Sequence, residues 1–393
     1  METIKEAGDL QGKHVLVRAD FNVPVEDGAV TDDTRIRETL PTIEYLRDRG
    51  AKTVLCAHLG RPKGEPADEF RLDPVAERLS ELLDTRVEKL DDCVGDEVRE
   101  AVDAMDDGDV VLLENTRFHP EEKENDDAFA RQLADLADVY VNDAFGAAHR
   151  AHASTEGVAH HLPAYAGLLM QREIDTLTRF RDDPGRPVVV ILGGAKISDK
   201  IGVVERFLDE ADAVLVGGGM ANTFLKARGV DVQASLVEDD SVDEAARLLE
   251  RGGDRIVLPV DVVVAEDADT EVERRTVAAD DVPEGWRILD VGPDTLERFR
   301  DALADARTVI WNGPLGAFEV QPFAEGTERL ARTLADLDAE TVVGGGETGT
   351  AVARARVADR LTHVSTGGGA FLEFMEGSEL PGVRVLNGTH ATA

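Results

Sequence analysis

The chain has 393 residues, more than one ordinary hydrophobic core accommodates and a comfortable length for two domains of under about 200 residues each. Hydrophobic residues make up 42% of it, as in folded globular proteins, and its apolar runs are far shorter than the roughly 20 residues that span a bilayer. With 80 acidic against 43 basic residues the formal net charge is −37, which argues against a nucleic-acid partner.

Short β-branched segments recur along the chain, and each is followed by a segment with helical periodicity. Strands alternating with helices predict βαβ units and parallel sheets. An amphipathic segment over residues 164–180 predicts one helix, and the turn-rich stretch 181–187 marks a break after it. We therefore expect an α/β protein of two doubly wound, Rossmann-like parallel-sheet domains joined by a helix and hinge. The predicted strands are 14–18, 53–56, 110–113 and 139–141, then 188–192, 213–216, 255–258, 308–311 and 341–343.

In the first half of the chain, the predicted strands end in positively charged side chains. Ligands of open parallel sheets bind at these strand ends. A guanidinium group can hold a phosphate or carboxylate through two hydrogen bonds. A single arginine of this kind could equally form a structural ion pair, and His149 or His152 could be a structural histidine. Five arginines in an acidic chain, however, predict a site for a small anion rather than a metal site. The candidates are Arg18, Asp20, Asn22, Arg35, His58, Arg61, Arg117, His149, Arg150 and His152.

The second half repeats a different pattern, in which a strand leads through glycines into a helix. It occurs in 188–201, 213–224, 308–319 and 341–351. A helix N-terminus beside glycines and lysines is a ready anion site. Lys196 and Lys200 would share one helical face if the helix begins there. A glycine can serve only a tight turn, but four such turns in one domain favour nucleotide binding.

The motifs argue against other functions. The P-loop pattern is absent, which excludes a P-loop kinase, whereas the segment 344–349 matches the dinucleotide pattern GxGxxG and could indicate a dehydrogenase. A nicotinamide dehydrogenase would also need an acidic residue at the end of the next strand, 361–366, which ends in threonine before more glycines. A non-catalytic acidic binding protein would not need the arginine set.

The chain resembles the phosphoglycerate kinase family over essentially its whole length. The stretches that carry the resemblance, in that family's order, are RADFNVP, HLGRPKG, LLENTRFHPEE, NDAFGAAHRAH, LGGAKISDKI, GGGMANTF, WNGPLGAFE and HVSTGGGAFLEFMEGSELPGV. The resemblance implies a monomeric glycolytic enzyme that reversibly transfers a phosphoryl group from 1,3-bisphosphoglycerate to ADP, giving 3-phosphoglycerate and ATP. It implies a substrate domain over 1–163, a connecting helix and hinge over 164–187, a nucleotide domain over 188–375, and a closing stretch 376–393 that folds back onto the first domain.

The resemblance also implies a role for each matching residue. Arg35 and Lys196 would be catalytic, Arg35 at the acyl end of the substrate and Lys196 on the transferring phosphoryl group. The phosphoglycerate would be held by Asp20, Asn22, Arg35, His58, Arg61, Arg117 and Arg150, with Arg18, His149 and His152 in the same basic patch. Lys200 would bind nucleotide phosphates, Glu319 the ribose hydroxyls, and Gly193, Gly194, Gly218, Gly292 and Asn312 would line the pocket. Gly345, Gly346, Glu347 and Thr348 match the turn that binds phosphate and Mg²⁺.

One position departs from the family pattern, which usually has aspartate where this chain has Glu347. Glutamate keeps the charge and the oxygens but reaches one methylene further. We expect Glu347 to contact the Mg²⁺ of the bound nucleotide, either directly in a shifted geometry or through a water molecule.

Phosphoryl transfer requires positioning and charge stabilisation rather than a covalent protein intermediate. The attacking ADP oxygen is already ionised, so no general base is required. Because substrate and nucleotide are expected on separate domains, we also expect closure about the 164–187 connector, which would keep water from the acyl phosphate.

The acidity itself predicts a halophilic protein. Self-repulsion destabilises a compact state, but in about 1 M salt the Debye length falls to about 3 Å and the repulsion is screened. An acidic face on an ordinary mesophilic protein is the alternative. The two cysteines, Cys56 and Cys93, form no disulfide framework, and the first residues lack a signal-peptide pattern, so a cytoplasmic location is expected.

We predict that the free energy of unfolding rises steeply with KCl between about 0.1 M and about 2 M, because salt screens the excess negative charge. Denaturant unfolding followed by circular dichroism measures it. Sucrose is the matched control, because it favours burial without screening charge. Full stability in dilute buffer would contradict the halophilic interpretation.

Overall fold

The computed structural model describes residues 1–387, and the chain divides into two compact units. The first unit comprises Met1–Asp175 together with the segment that begins at Ser378, and the second comprises Thr176–Gly377. Both units are built on parallel sheets with helices, so the predicted fold class is confirmed. The last part of the stretch 376–393, residues 388–393, lies outside the described residues.

The first unit contains a six-stranded parallel sheet in the order β5-β6-β4-β1-β7-β8, beside a short antiparallel hairpin of β2 and β3. Strand β1 is central, and its apolar residues are fully buried because helices cover both faces of a doubly wound sheet. The strands are β1 (His14–Arg18), β2 (Val25–Glu26), β3 (Ala29–Val30), β4 (Lys52–Cys56), β5 (Glu88–Lys89), β6 (Val110–Leu112), β7 (Val139–Asn142) and β8 (Ala164–Ala166). The helices are α1 (Thr34–Arg47), α2 (Asp73–Leu83), α3 (Asp96–Asp103), α4 (Glu121–Glu124), α5 (Asp127–Ala134) and the start of α6 (Leu168–Asp182).

The second unit contains another six-stranded parallel sheet, in the order β11-β10-β9-β15-β16-β17. Every residue of its two central strands, β9 and β15, is buried, which explains their unbroken apolar sequences. The strands are β9 (Val188–Leu192), β10 (Ala213–Val216), β11 (Ile256–Val257), β12 (Asp261–Ala265), β13 (Arg274–Ala278), β14 (Arg287–Val291), β15 (Thr308–Asn312), β16 (Glu340–Gly344) and β17 (His363–Val364). The helices are α7 (Ile201–Glu210), α8 (Gly218–Ala227), α9 (Val242–Gly252), α10 (Pro293–Leu303), α11 (Glu325–Ala335), α12 (Gly346–Ala355) and α13 (Gly369–Glu376), while α14 (Pro381–Arg384) belongs to the first unit.

A three-stranded antiparallel sheet, in the order β13-β12-β14, accompanies the parallel sheet of the second unit. The sequence did not predict it. Strand β13 is largely exposed and rich in arginine, so it carries no apolar run, and its pairing depends on β12 beside it.

The predicted helix over 164–180 was wrong at its beginning. Residues Ala164–Ala166 form β8 and pair in parallel with Tyr140–Asn142, so their backbone groups serve the sheet edge instead of a helix. The helix begins at Leu168 and ends at Asp182, and residues 183–187 are not helical. The division between the two units, after Asp175, falls inside this helix.

Among residues 1–387, the helices are all too short or too polar to cross a membrane.

The start of α6 depends on one buried carboxylate. Asp143 Oδ1 accepts hydrogen bonds from the backbone N–H groups of Leu169 (2.9 Å) and Met170 (3.1 Å). The first N–H groups of a helix have no partner within the helix, so this carboxylate supplies what the sequence of α6 cannot.

We predict that Asp143→Ala lowers the free energy of unfolding by about 2 kcal/mol, because two buried N–H groups lose their acceptor. Asp143→Asn keeps an oxygen at the same place and should lose less. Asp126→Ala is the matched control, because Asp126 accepts from Phe129 N–H (2.9 Å) at the start of α5, at a position that is only partly buried. Denaturant unfolding at fixed salt measures all three, and an unchanged stability of Asp143→Ala would refute the role.

Candidate active site

The predicted basic residues of the first unit meet at the carboxyl ends of its parallel strands. Arg18 is the last residue of β1, and His58 lies two residues beyond the end of β4. Arg117 lies in a short 3₁₀ helix, Thr116–Phe118, after β6, and His149 and Arg150 lie in the segment after β7. The carboxyl ends of parallel strands lie at one edge of a sheet, so these side chains come together although they are far apart in sequence.

Arg18 is the innermost cation of this group, with only 1% of its surface exposed. Its Nε donates to Ser154 Oγ (2.8 Å), and its Nη2 contacts His58 Nδ1 (2.8 Å). Ser154 Oγ in turn donates to Oε1 of the buried Glu122 (2.6 Å). The guanidinium is therefore held in one orientation and linked to a carboxylate through a hydroxyl group, which offsets the cost of burying its charge.

His58 is uncharged in this environment. Burial is the main cause that lowers its pKa well below the usual value, and the neighbouring guanidinium groups of Arg18, Arg117, Arg150 and Arg35 lower it further. Because Nδ1 accepts from Arg18, the ring carries its proton on Nε2. That N–H is a hydrogen-bond donor that adds no charge to the cluster.

Arg117 is 5% exposed and brings a second buried guanidinium group to the site. Its Nη1 donates to the carbonyl oxygen of Gly60 (2.8 Å), while its Nε is buried and has no hydrogen-bond partner among the residues that the structure describes. Burial, and then the cations Arg18 and Arg150, lower the pKa of Arg117 to about 10, so it remains protonated at neutral pH. A buried, unsatisfied N–H of a cation marks a place for an anionic acceptor.

Asp20, Asn22 and Arg35 form one connected group at the end of β1. Arg35 Nη1 donates to Asp20 Oδ1 (3.2 Å) and to the Asn22 carbonyl oxygen (3.1 Å). Asn22 Oδ1 accepts from the N–H of Gly60 (2.8 Å), which joins this group to the segment after β4. Arg35 keeps 26% of its side chain exposed, so part of its guanidinium faces solvent.

His149, Arg150 and His152 complete the cluster on the segment after β7. Arg150 Nε donates to His149 Nε2 (3.0 Å). Burial, reinforced by nearby arginines, lowers the pKa of His149 and of His152 to about 4, so both are neutral at pH 7. Arg61 stands apart: it is exposed, and among residues 1–387 it has no hydrogen bond or ion pair that ties it to the cluster.

The second unit contains a cavity of about 240 Å³ at the ends of β9, β10, β14 and β15. Four residues predicted to bind nucleotide line it: Gly194, Gly218, Glu319 and Glu347. Its apolar wall was not predicted from the sequence and consists of Leu236, Val262, Ile288, Leu289, Val291 and Leu315. An apolar slot with a few polar groups at its mouth fits a flat aromatic ligand that carries a polar extension.

Lys200 is buried beneath the glycine turns, with 7% of its surface exposed. Its Nζ donates to the carbonyl oxygen of Gly193 (2.6 Å) and to Oδ1 (2.6 Å) and the carbonyl oxygen (3.1 Å) of Asn312. Burial lowers the pKa of Lys200 to about 8, an effect that Glu347 and Asp199 oppose. The amine is thus held in place by oxygen acceptors.

Lys196 occupies a different environment from Lys200, and the condition for a shared helical face, a helix that begins at these residues, is not met. The helix α7 begins only at Ile201, after a 3₁₀ turn over Ser198–Lys200, so both lysines precede it. Lys196 is exposed, and in the described part of the chain it forms no hydrogen bond or ion pair.

The glycine turns bring strands and loops too close together for side chains. A Cβ atom on Gly193 would lie 2.1 Å from the Pro314 carbonyl oxygen. Gly345 has φ +105° at the start of α12, a conformation that other residues rarely adopt. Gly292 faces Asp261, whose Oδ2 would lie 2.1 Å from its Cβ, and it does not line the cavity.

The end of β15 and the start of α12 are joined by polar side chains. Asn312 Nδ2 donates to the Gly344 carbonyl oxygen (2.8 Å), and Thr348 Oγ1 accepts from the Gly313 N–H (2.8 Å). Glu347 lies in the first turn of α12, exposed and at the cavity. Gly346, the first residue of that helix, is also exposed, so its backbone is open to a ligand.

Glu122 and Ser154, which orient Arg18, were not predicted as functional residues. Nothing in the local sequence distinguishes Glu122 from its acidic neighbours; only its complete burial does. It accepts from both the N–H (2.9 Å) and the Oγ of Ser154.

Comparisons with known proteins agree with one another. A sequence model of the family described as Phosphoglycerate kinase matches residues 4–378. The phosphoglycerate kinase of Pelotomaculum thermopropionicum is 57% identical over 381 residues, covering 96% of this chain and 97% of that protein. That of Rubrobacter xylanophilus is 58% identical over 378 residues, covering 96% of each.

Solved structures match over the same extent, with 98% of both chains covered in each case. The phosphoglycerate kinase of Coxiella burnetii matches with a TM-score of 0.83 at 40% identity. That of Pyrococcus horikoshii matches with a TM-score of 0.89 at 35% identity.

Proposed function

The chain belongs to the phosphoglycerate kinase family and transfers a phosphoryl group between 1,3-bisphosphoglycerate and ADP; we propose that the arginine cluster binds the phosphoglycerate and that the glycine-lined cavity binds the nucleotide. The observation that carries this assignment is the set of four guanidinium groups gathered about a neutral His58 in an otherwise acidic protein. Such a cluster suits a small ligand with several anionic oxygens.

On the phosphoglycerate side, the inner residues are fixed and the outer ones are free to receive a ligand. All three guanidinium nitrogens of Arg18 contact protein groups, namely Ser154, the Ala19 carbonyl oxygen and His58, so its part is to supply positive charge and to orient His58. Within residues 1–387, Arg117 Nε has no hydrogen-bond partner, part of Arg35 is exposed, and Arg61 forms no hydrogen bond or ion pair. We assign direct contacts to Arg35, Arg61, Arg117 and Arg150, supported by Asp20, Asn22, His58, His149 and His152.

On the nucleotide side, the apolar wall suits an adenine ring and Glu319 suits the ribose hydroxyls. The phosphates would then extend along the glycine turns, where backbone N–H groups at the start of α12 and the cation Lys200 stabilise negative charge. Gly193, Gly194, Gly218, Gly345, Gly346, Asn312 and Thr348 shape this surface. Gly292 positions the start of α10 behind it, because it is the N-cap residue of that helix.

Glu347 is the residue that we assign to the nucleotide's Mg²⁺. Its carboxylate is exposed at the cavity, and carboxylate oxygens are the ligands that Mg²⁺ takes beside substrate phosphates. The extra methylene does not withdraw it from the site. When bound, the ion would neutralise charge on the phosphate oxygens.

Lys196 follows β9 and is exposed, and it forms no hydrogen bond or ion pair within the described residues 1–387, so it can approach the transferring phosphoryl group without breaking an existing bond. Direct transfer requires that the acyl phosphate and the nucleotide meet, and closure about the connecting segment, residues 164–187, would bring them together.

The cellular setting is proposed from the same features. The net charge of −37 supports a halophilic enzyme, and both proposed sites are complete within one chain, which supports a monomer. A cytoplasmic location accords with the use of ADP and ATP.

We predict that Lys196→Ala lowers kcat by roughly 10²–10³ with a smaller change in the KM of either substrate, because a charge stabiliser of the transition state is lost. A coupled assay of ATP formation from 1,3-bisphosphoglycerate and ADP at high salt measures it. Lys226→Ala is the matched control: Lys226 is an exposed lysine of the same unit, paired with Asp239 at 2.6 Å. A near-normal kcat would remove Lys196 from the mechanism.

For the metal, Glu347→Gln should raise the Mg²⁺ concentration that gives half-maximal activity by about tenfold or more, because a charged ligand group is lost. The control is Glu325→Gln, a glutamate in the first turn of α11 that does not line the cavity. Equal Mg²⁺ requirements in the two variants would show that Glu347 does not bind the ion.

A further inference from the structure

A second group of potential metal ligands lies in the first unit, outside the proposed substrate cluster. It consists of Asp92, Cys93 and His119, whose ligand atoms all lie within 4.8 Å of one another. Asp92 and Cys93 follow β5, and His119 follows the 3₁₀ turn after β6. Because β5 and β6 are neighbours in the sheet, their following loops meet at the same edge.

The three side chains differ in burial, and the soft ligand is the most buried of them. Cys93 is completely buried, whereas Asp92 and His119 keep 52% and 28% of their side chains exposed. Among residues 1–387 the Cys93 thiol makes no hydrogen bond, so no protein partner competes for the sulfur atom. A cation would enter from solvent past the carboxylate and the imidazole and meet the thiol last.

The imidazole already faces the other two ligands. His119 Nε2 is hydrogen-bonded to Asp92 Oδ1 at 2.7 Å, Asp92 Oδ1 also accepts from the Cys93 N–H (2.7 Å), and the ring packs against Phe129 with the ring centroids 5.1 Å apart. An ion would replace the bond between His119 and Asp92, and packing against Phe129 limits rotation of the ring while it does so.

The ligand set distinguishes between classes of cation. Sulfur and imidazole nitrogen suit Zn²⁺ and similar transition metals, whereas Mg²⁺ and Ca²⁺ prefer oxygen ligands throughout. In a tetrahedral site with Zn–S of about 2.3 Å and Zn–N of about 2.0 Å, the ligand atoms would lie roughly 3.3–3.6 Å apart. In the structure these atoms lie within 4.8 Å of one another, with Nε2 and Oδ1 2.7 Å apart, so movements of about an ångström, which separate that pair and draw the sulfur closer, would give the tetrahedral geometry.

We propose that Asp92, Cys93 and His119 bind a zinc-class divalent cation through Oδ1, Sγ and Nε2, with solvent completing the coordination. This site is independent of the Mg²⁺ assigned to the nucleotide, because it lies in the other unit and uses different ligand atoms. The ion would join the loop after β5 to the segment that carries Arg117, and it would stabilise the folded first unit because only the folded chain gathers the three ligands.

Cobalt(II) tests the proposal, since thiolate bound to Co²⁺ gives a near-ultraviolet charge-transfer band that carboxylates and imidazoles do not give. The untagged full-length chain, in high salt with excess Mg²⁺, is titrated with Co²⁺ up to one equivalent. We expect the band to appear and to be abolished by stoichiometric Zn²⁺.

Two variants locate the site. Cys93→Ser should lose the band, and His119→Gln should weaken Zn²⁺ binding, measured by competition, at least about tenfold. His119 is partly exposed, so its variant tests the site even if Cys93→Ser fails to fold. His161→Gln is the matched control, because His161 Nε2 pairs with Asp127 Oδ1 at 2.8 Å, as His119 pairs with Asp92, but is not part of the cysteine-containing cluster. It should bind like the unaltered chain.

Three outcomes would overturn the assignment. Co²⁺ could bind without a thiolate band, which would indicate surface carboxylates only. The band could persist unchanged in His119→Gln, or His161→Gln could weaken Zn²⁺ binding as much as His119→Gln does.

Discussion

The guanidinium of Arg18 must keep its positive charge in a place from which nearly all water is excluded. Burying a charge is costly unless hydrogen bonds and an opposite charge replace the lost solvent. Ser154 and the fully buried Glu122 supply both on the inner side, through bonds of 2.8 and 2.6 Å. Without this arrangement, the remaining arginines would face an uncompensated cation at the centre of their own cluster.

The same constraint shapes the histidines and the second unit. His58, His149 and His152 stay neutral because burial and neighbouring cations disfavour a further positive charge, so they contribute donors and acceptors without adding repulsion. In the second unit, Lys200 is buried among carbonyl oxygens, and glycines let those oxygens approach closely. Each site thus contains a desolvated cation held by fixed hydrogen-bond acceptors, a preorganised arrangement that suits an anionic ligand.

Much of this organisation could be predicted from the sequence. Each long strand of the two parallel sheets was visible as an apolar run, because strands buried on both faces need apolar residues throughout. The residues after those runs must lie at the edge where ligands bind, so Arg18, His58 and Lys200 could be placed in advance. The antiparallel sheet could not, because β13 is exposed and polar. Strand β8 looked helical, because its three residues, Ala164–Ala166, run almost directly into the amphipathic pattern of α6.

The sequence by itself determined the alternation of strands and helices, the identity of the residues at the strand ends and the family, because these depend on local patterns and on order along the chain. Only the tertiary structure decided which of those residues are buried and what they contact. It showed Glu122 to be the carboxylate behind Arg18, separated the buried Lys200 from the exposed Lys196, and brought Cys93 to His119. Burial and charge compensation arise between segments far apart in the chain, so no local pattern records them.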